Sequence, residues 1–326
     1  MPVTTDMRIP SGFAHRYYER DGARLHYLEG PDSGPALVLI PGQSMPCESY
    51  LKVLPLLAHR FHCYAVDVRG HGLSAHTPGQ YRFSVYGEDL VALLRQVIGR
   101  PAILTGNSSG GVIAAYAAAH APELVCALMP EDPPFFSSEW PAMSAGYVHD
   151  LFGRCVEYLD RPQRDLAGFF AGFEVPTGQG QRVMRLPRWL AKFIAWRVAR
   201  YQRTHPGQRV DLKMLPFQLR LFLRSLSEYD VKFTRAFWDG SGCDIDHAAI
   251  LQGIRCPMLL LHADWLLHER LGLVGAMTDA QAQRAVALVP GARYERIRGG
   301  HVIHQEQPQR FVQLLTEFAC RAGCVE

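Results

Sequence analysis

One short run limits what this chain can become: Pro101-Ala-Ile-Leu-Thr105, then Gly106-Asn-Ser108-Ser-Gly110, then Gly111-Val-Ile-Ala-Ala-Tyr-Ala-Ala-Ala119. An apolar strand passes into an Ala-rich helix across Gly-x-Ser-x-Gly. Reversing that sharply forces Ser108 into a strained conformation, and Gly106 and Gly110 keep side chains out of the crowded turn. The hydroxyl is thereby raised above a sheet edge, with the N–H groups of a helix start behind it. Gly-x-Ser-x-Gly alone also spells an ordinary loop. The strand before it and the helix after it make Ser108 a candidate nucleophile.

The surrounding pattern repeats that rhythm. Residues 13–19 and 23–29 alternate apolar and polar around Asp21-Gly22, which predicts a hairpin with one solvated face. Ala36–Ile40, Cys63–Asp67 and Leu124–Met129 are continuous apolar runs of the kind buried on both faces of a parallel sheet. Helical segments are expected around 49–58 and 84–98. The rhythm stops at Pro130-Glu-Asp-Pro-Pro134 and resumes at Cys256-Pro-Met-Leu-Leu-Leu-His262, followed by a helix over 278–288, a strand over 292–298 and a last helix over 308–319. The expectation is an α/β fold with a mostly parallel central sheet and helices on both faces. Residues 1–132 and 255–326 form the core, and 133–254 a helical cap inserted between two core strands.

Composition narrows the function. Of 326 residues, 48% are hydrophobic, enough for a large core, and 34 basic against 31 acidic residues leave a net charge of only +3. That balance, without a long basic run, excludes a nucleic-acid binder. No apolar stretch is long enough for a signal peptide or a membrane span, so a cytoplasmic protein is expected. The eight cysteines lack Cys-x-x-Cys spacing and read as buried reduced thiols. Neither a metal cluster nor a dinucleotide fingerprint is present, so no cofactor is expected.

Four segments in order carry a resemblance: Ile40-Pro-Gly42-Gln43, Asp67-Val-Arg-Gly-His-Gly-Leu-Ser74, Gly106-Asn-Ser-Ser-Gly110, and Gly299-Gly-His301. Together they resemble the α/β-hydrolase superfamily over nearly all of the chain outside the cap. The resemblance implies a triad in the order nucleophile, acid, base, with Ser108 first and His301 last. The acid has three candidates. Many relatives hold it after the penultimate strand, where this chain has Asp264 but lacks the usual glycine. Other branches hold it after the elbow strand's neighbour, where Asp132 falls twenty-four residues beyond Ser108. Asp132 is preferred, Asp264 is the alternative and Glu131 the third. The oxyanion donors implied are the N–H groups of Ser109 and Gln43, although Pro41 and Ser44 replace the histidine and proline of the family's His-Gly-x-Pro loop. His71 is expected to support that loop and His304 to be structural.

A serine at the elbow argues against the dehalogenases and epoxide hydrolases that resemble this fold but carry Asp there. Esters, lactones and carbon–carbon bonds beside a ketone remain, as does a triad-retaining receptor. The aromatic segment 133–254 suits a bulky apolar substrate, with Phe136, Trp140 and Trp189 as candidate contacts. These parts resemble lactonases that open the resorcylic macrolactone zearalenone. The partner expected is therefore a small apolar ester or lactone, acting on a monomer or homo-oligomer without stable membrane insertion. The run Leu186–Arg200 mixes Trp with Arg, which fits either a membrane surface or a cap helix with a solvated basic face. The second reading, with the aromatics mostly in the cap's own core, is the one adopted.

Overall fold

The computed structural model describes residues 7–176, 182–228 and 230–325. The opening residues 1–6, part of the stretch searched for a leader, lie outside them. Eight strands form one sheet: β1 (Ala14–Arg20), β2 (Ala23–Glu29), β3 (Ala36–Ile40), β4 (His62–Val66), β5 (Ala102–Asn107), β6 (Val125–Glu131), β7 (Leu259–His262) and β8 (Arg293–Arg296). Their order across the sheet is β1-β2-β4-β3-β5-β6-β7-β8. The β1/β2 hairpin turns at Asp21-Gly22, and β2 joins β4 antiparallel. Every pairing from β4 to β8 is parallel.

Period-two alternation explains why the central strands are apolar throughout. Val38 and Ile40 face a cluster with helices Phe83–Leu93, Ser109–His120, His247–Gly253 and Asp279–Leu288. Leu37 and Leu39 face the other layer, built from the short helical turns between 47 and 57 and the helix Pro308–Arg321. Both sheet faces are thus sealed. Truncating any of these fully buried side chains to Ala would cost about 2–5 kcal/mol.

Between β6 and β7 the chain forms mainly helices, the longest being Tyr147–Asp160, Arg188–Thr204 and Phe217–Glu228. Cys155, Leu159, Phe170, Ile194 and Leu223 gather there into a separate apolar cluster. Helix His247–Gly253 instead packs into the core cluster through Ile250 and Leu251. Two small hairpins escaped the sequence reading, Glu174–Pro176 with Val183–Arg185 and Leu266–His268 with Gly272–Val274. Their three-residue strands are too short to display a period. None of the eight cysteines is in a disulfide; Cys47, Cys63 and Cys155 are buried, whereas Cys320 is exposed.

Candidate active site

Ser108 sits between β5 and the helix Ser109–His120 with φ 54° and ψ −128°, a region that costs about 1–3 kcal/mol for a non-glycine residue. The turn is held from both ends: Ser108 N–H donates to Glu131 O at 2.9 Å, and Gly111 N–H to Ser108 O at 2.8 Å. A Cβ on Gly106 would lie 2.2 Å from Gly110 O, and one on Gly110 would lie 2.2 Å from Ile40 O. Neither position can carry a side chain.

One strand away, β6 ends in two carboxylates. Asp132 follows it with φ 44°, and its N–H donates to Leu261 O at 2.8 Å. Its Oδ1 accepts the Ala263 N–H at 3.0 Å, and its Oδ2 lies 2.6 Å from His301 Nδ1. Asp132 is 1% exposed. The imidazole of His301 is partly open, with 38% of its side chain exposed. Burial lowers the His301 pKa, but the hydrogen bond and charge of Asp132 outweigh it. Glu131 and Glu306 add to the net rise above 6.5. Bound through Nδ1, the ring has Nε2 left for proton transfer.

The loop carrying His301 is clamped. Asp264 Oδ2 accepts the Gly299 N–H at 2.8 Å, Asp264 N–H returns to Gly299 O at 3.1 Å, and Glu306 accepts the Gly300 N–H at 2.8 Å. Asn107 Nδ2 donates to His301 O at 2.9 Å, tying the loop to the residue before Ser108. Asp264 also pairs with Arg296 at 3.2 Å. It therefore reaches the backbone of the loop, while Asp132 reaches the ring. Glu131, the third candidate, bonds His304 instead: its carboxylate lies 2.8 Å from Nδ1 and accepts the His304 N–H at 2.9 Å.

Gln43 and Ser109 border the same cavity as Ser108 and His301. The loop's missing family support is supplied from the loop that follows β4. His71 Nε2 accepts the Ser44 N–H at 2.9 Å, and Ser44 takes φ 62° there. Burial holds the His71 pKa down to about 4, so the ring stays a neutral acceptor near pH 7. Gln43 Nε2 is buried without a protein partner among the described residues.

The cavity encloses about 350 Å³. Its walls come from Met45, Phe83, Met143, Tyr147, Leu151, Phe152, Cys155, Phe222, Phe237, Leu273 and Val274, with Ser108 and His301 at one side. Among the described residues that line it, none is Asp, Glu, Lys or Arg.

A family model described as Alpha/beta hydrolase family matches residues 37–314, far more than half of the chain. The chain belongs to the alpha/beta hydrolase family. Locally it is similar to an N-formylmaleamate deformylase from Pseudomonas putida, 35% identical over 115 residues, or 35% of this chain and 43% of that protein. The chain thus spans less than half the length of that curated relative. Among solved structures it resembles a hydrolase from Pseudomonas aeruginosa PA01, with 22% identity, TM-score 0.63 and coverage of 94% of this chain and 98% of that one. It also resembles the enol-lactonase from Burkholderia xenovorans LB400, with 19% identity, TM-score 0.62 and coverage of 94% and 100%. These two likenesses speak for the fold.

The three aromatic contacts expected from sequence do not line the cavity. Phe136, with φ 65°, is turned into the core, where the Arg284 guanidinium sits 4.0 Å over its ring and its N–H donates to His247. Trp140 covers Gly240 and is 45% exposed. Trp189, 71% exposed, points to solvent, and Trp196 and Phe193 are exposed with it. Sequence reasoning missed Tyr147, Leu151, Phe152 and Cys155, one face of an amphipathic helix. Their i, i+4, i+5, i+8 spacing was the available signal.

Proposed function

We propose that this enzyme hydrolyses a neutral, apolar ester or lactone through an acyl-enzyme, with Ser108 as nucleophile, His301 as base and Asp132 as its orienting acid, and with residues 133–254 as a cap. The observation that carries the substrate class is the cavity: apolar, near 350 Å³, and free of charged side chains among its described lining residues. A carboxylate-bearing substrate brought there would lose its water and gain no cation in return.

His301 Nε2 takes the Ser108 Oγ proton as Oγ adds to the carbonyl carbon, and Asp132 bears the imidazolium through Nδ1–H. The carbonyl oxygen becomes an oxyanion facing the Ser109 and Gln43 N–H groups, each donor being worth about 2.7–4 kcal/mol in the transition state. Collapse breaks the C–O bond, and His301 returns its proton to the departing oxygen, which stays tethered when the substrate is a lactone. Water, deprotonated by His301, then adds to the acyl carbon; the C–Oγ bond breaks, Oγ takes the proton back from His301, and the carboxylic acid leaves.

The local match to a deformylase favours a second reading, hydrolysis of an amide or of a carbon–carbon bond by the same groups. A substrate panel separates the two: neutral aryl esters, macrolactones including zearalenone, 1,5-diketones, and an anionic maleamate. The proposal expects kcat/KM for the best neutral ester or lactone to exceed that for the anionic amide by at least about 10³. A reversed ranking would overturn it. Ligand binding that survives Ser108→Ala, with negligible turnover by the wild type, would make the protein a receptor.

A further inference from the structure

Helix Arg188–Thr204 turns its sequence inside out relative to expectation. Ala191, Ile194 and Val198 face inward and pack in the cluster that contains Cys155 and Leu159, on the helix that walls the cavity. The large aromatics lie opposite. Trp189 is 71% exposed, Trp196 50% and Phe193 39%. At about 100° per residue these three fall within one narrow stripe along the helix. The Phe193 and Trp196 rings sit 6.1 Å apart.

Cations flank that stripe on both sides. The helix carries Arg188, Lys192, Arg197, Arg200 and Arg203 and no acidic residue. Among the described residues none of the five pairs with a carboxylate. Two of them, Arg197 and Arg200, lie about 6 Å from the Trp196 ring. The chain's net charge is only +3, while this one helix carries five cations and no acidic residue. An aromatic ridge bordered by cations, on a helix whose other face is anchored in protein, is what an interfacial helix presents to a bilayer. The ridge enters the headgroup region, and the guanidinium and ammonium groups meet lipid phosphate. A second copy of the chain fits poorly here. A two-fold contact would set five cations against five.

We propose that this face docks the enzyme, in the plane of the interface, on a membrane surface of anionic phospholipid. No helix among the described residues is long and apolar enough to cross a membrane, so the attachment is peripheral and reversible. The proposal stands independently of the ester chemistry. Its mechanical consequence is that the helix behind the cavity wall rests on the lipid.

The test is flotation of the whole protein with vesicles of phosphatidylcholine alone or mixed with phosphatidylserine. Wild type is expected to float with the phosphatidylserine vesicles, less with phosphatidylcholine, and less again as salt rises. K192E/R200E should reduce the partition coefficient at least about fivefold per altered cation. W189S/W196S should reduce it by a similar or larger factor. Both pairs are exposed, so hydrolysis of a water-soluble aryl ester should stay at the wild-type rate. Absence of flotation with either vesicle overturns the proposal, as does flotation that both variants retain. A wild type that stays off the vesicles and sediments as a dimer dissolved by W189S/W196S would assign the face to a second copy instead.

Discussion

Two consecutive residues at the end of β6 each reach a histidine on the same late segment, and the two pairs end up in different surroundings. Asp132 holds His301, whose ring is partly open and borders the cavity. Glu131 holds His304, which is 1% exposed, stacked on Tyr50 at 4.1 Å and edge-on to Phe311 at 5.8 Å. Glu131 is the last residue of β6 and Asp132 turns out of the strand with φ 44°, so the two neighbouring carboxylates reach different partners. The chemistry of the pairs is nearly the same. Access to substrate differs, and access decides which pair can move a proton and which can only hold the two segments together.

The first way to break this comparison is to remove members of each pair. His301→Ala should lower kcat by about 10⁶, with a melting temperature near wild type. Asp132→Asn should lower it by about 10⁴, because the imidazole loses its orienting acceptor. Glu131→Ala should act on stability instead, costing about 3–5 kcal/mol in denaturant unfolding by leaving His304 without its buried partner. The activity of its folded fraction should remain within about tenfold of wild type. Asp264→Asn, which weakens the Gly299 backbone clamp and removes the ion pair with Arg296, should cost between about ten- and a hundredfold in kcat. If Asp264→Asn costs more than Asp132→Asn, the acid has been misassigned.

The pH profile sharpens the same contrast. His301 must be neutral to accept a proton, and Asp132 raises its pKa above 6.5, so kcat/KM should rise with pH through a midpoint above that value. In Asp132→Asn the main raising interaction is gone and burial lowers the pKa. The midpoint should then move to lower pH, as measured by initial rates across buffers of constant ionic strength.

What the sequence could display was set by how local the cause is. The elbow is legible because Gly106 and Gly110 are required by contacts within a few residues and with the adjacent strand. The central strands are legible because both faces are buried, which leaves a continuous apolar run. Several boundaries moved by one or two residues, as at Arg293–Arg296 and Pro308–Arg321. The pairing of Glu131 with His304 spans 173 positions and leaves no local trace. The His71 contact to Ser44 explains how the loop does without the family's own support, and it too is tertiary. For the helices between β6 and β7, apolar periodicity marks one face as buried but does not say against what. Trp189 and Trp196 show the limit: large aromatics are usually inside, and here cations border them on an outer face.

Labelling by a fluorophosphonate, followed by peptide mapping and by the rate of labelling, tests the central assignment most directly. The account predicts modification at Ser108 alone, at a rate that falls steeply in Asp132→Asn and stays near wild type in the folded fraction of Glu131→Ala. Modification at another residue, or equal rates in Asp132→Asn and the wild type, would contradict it.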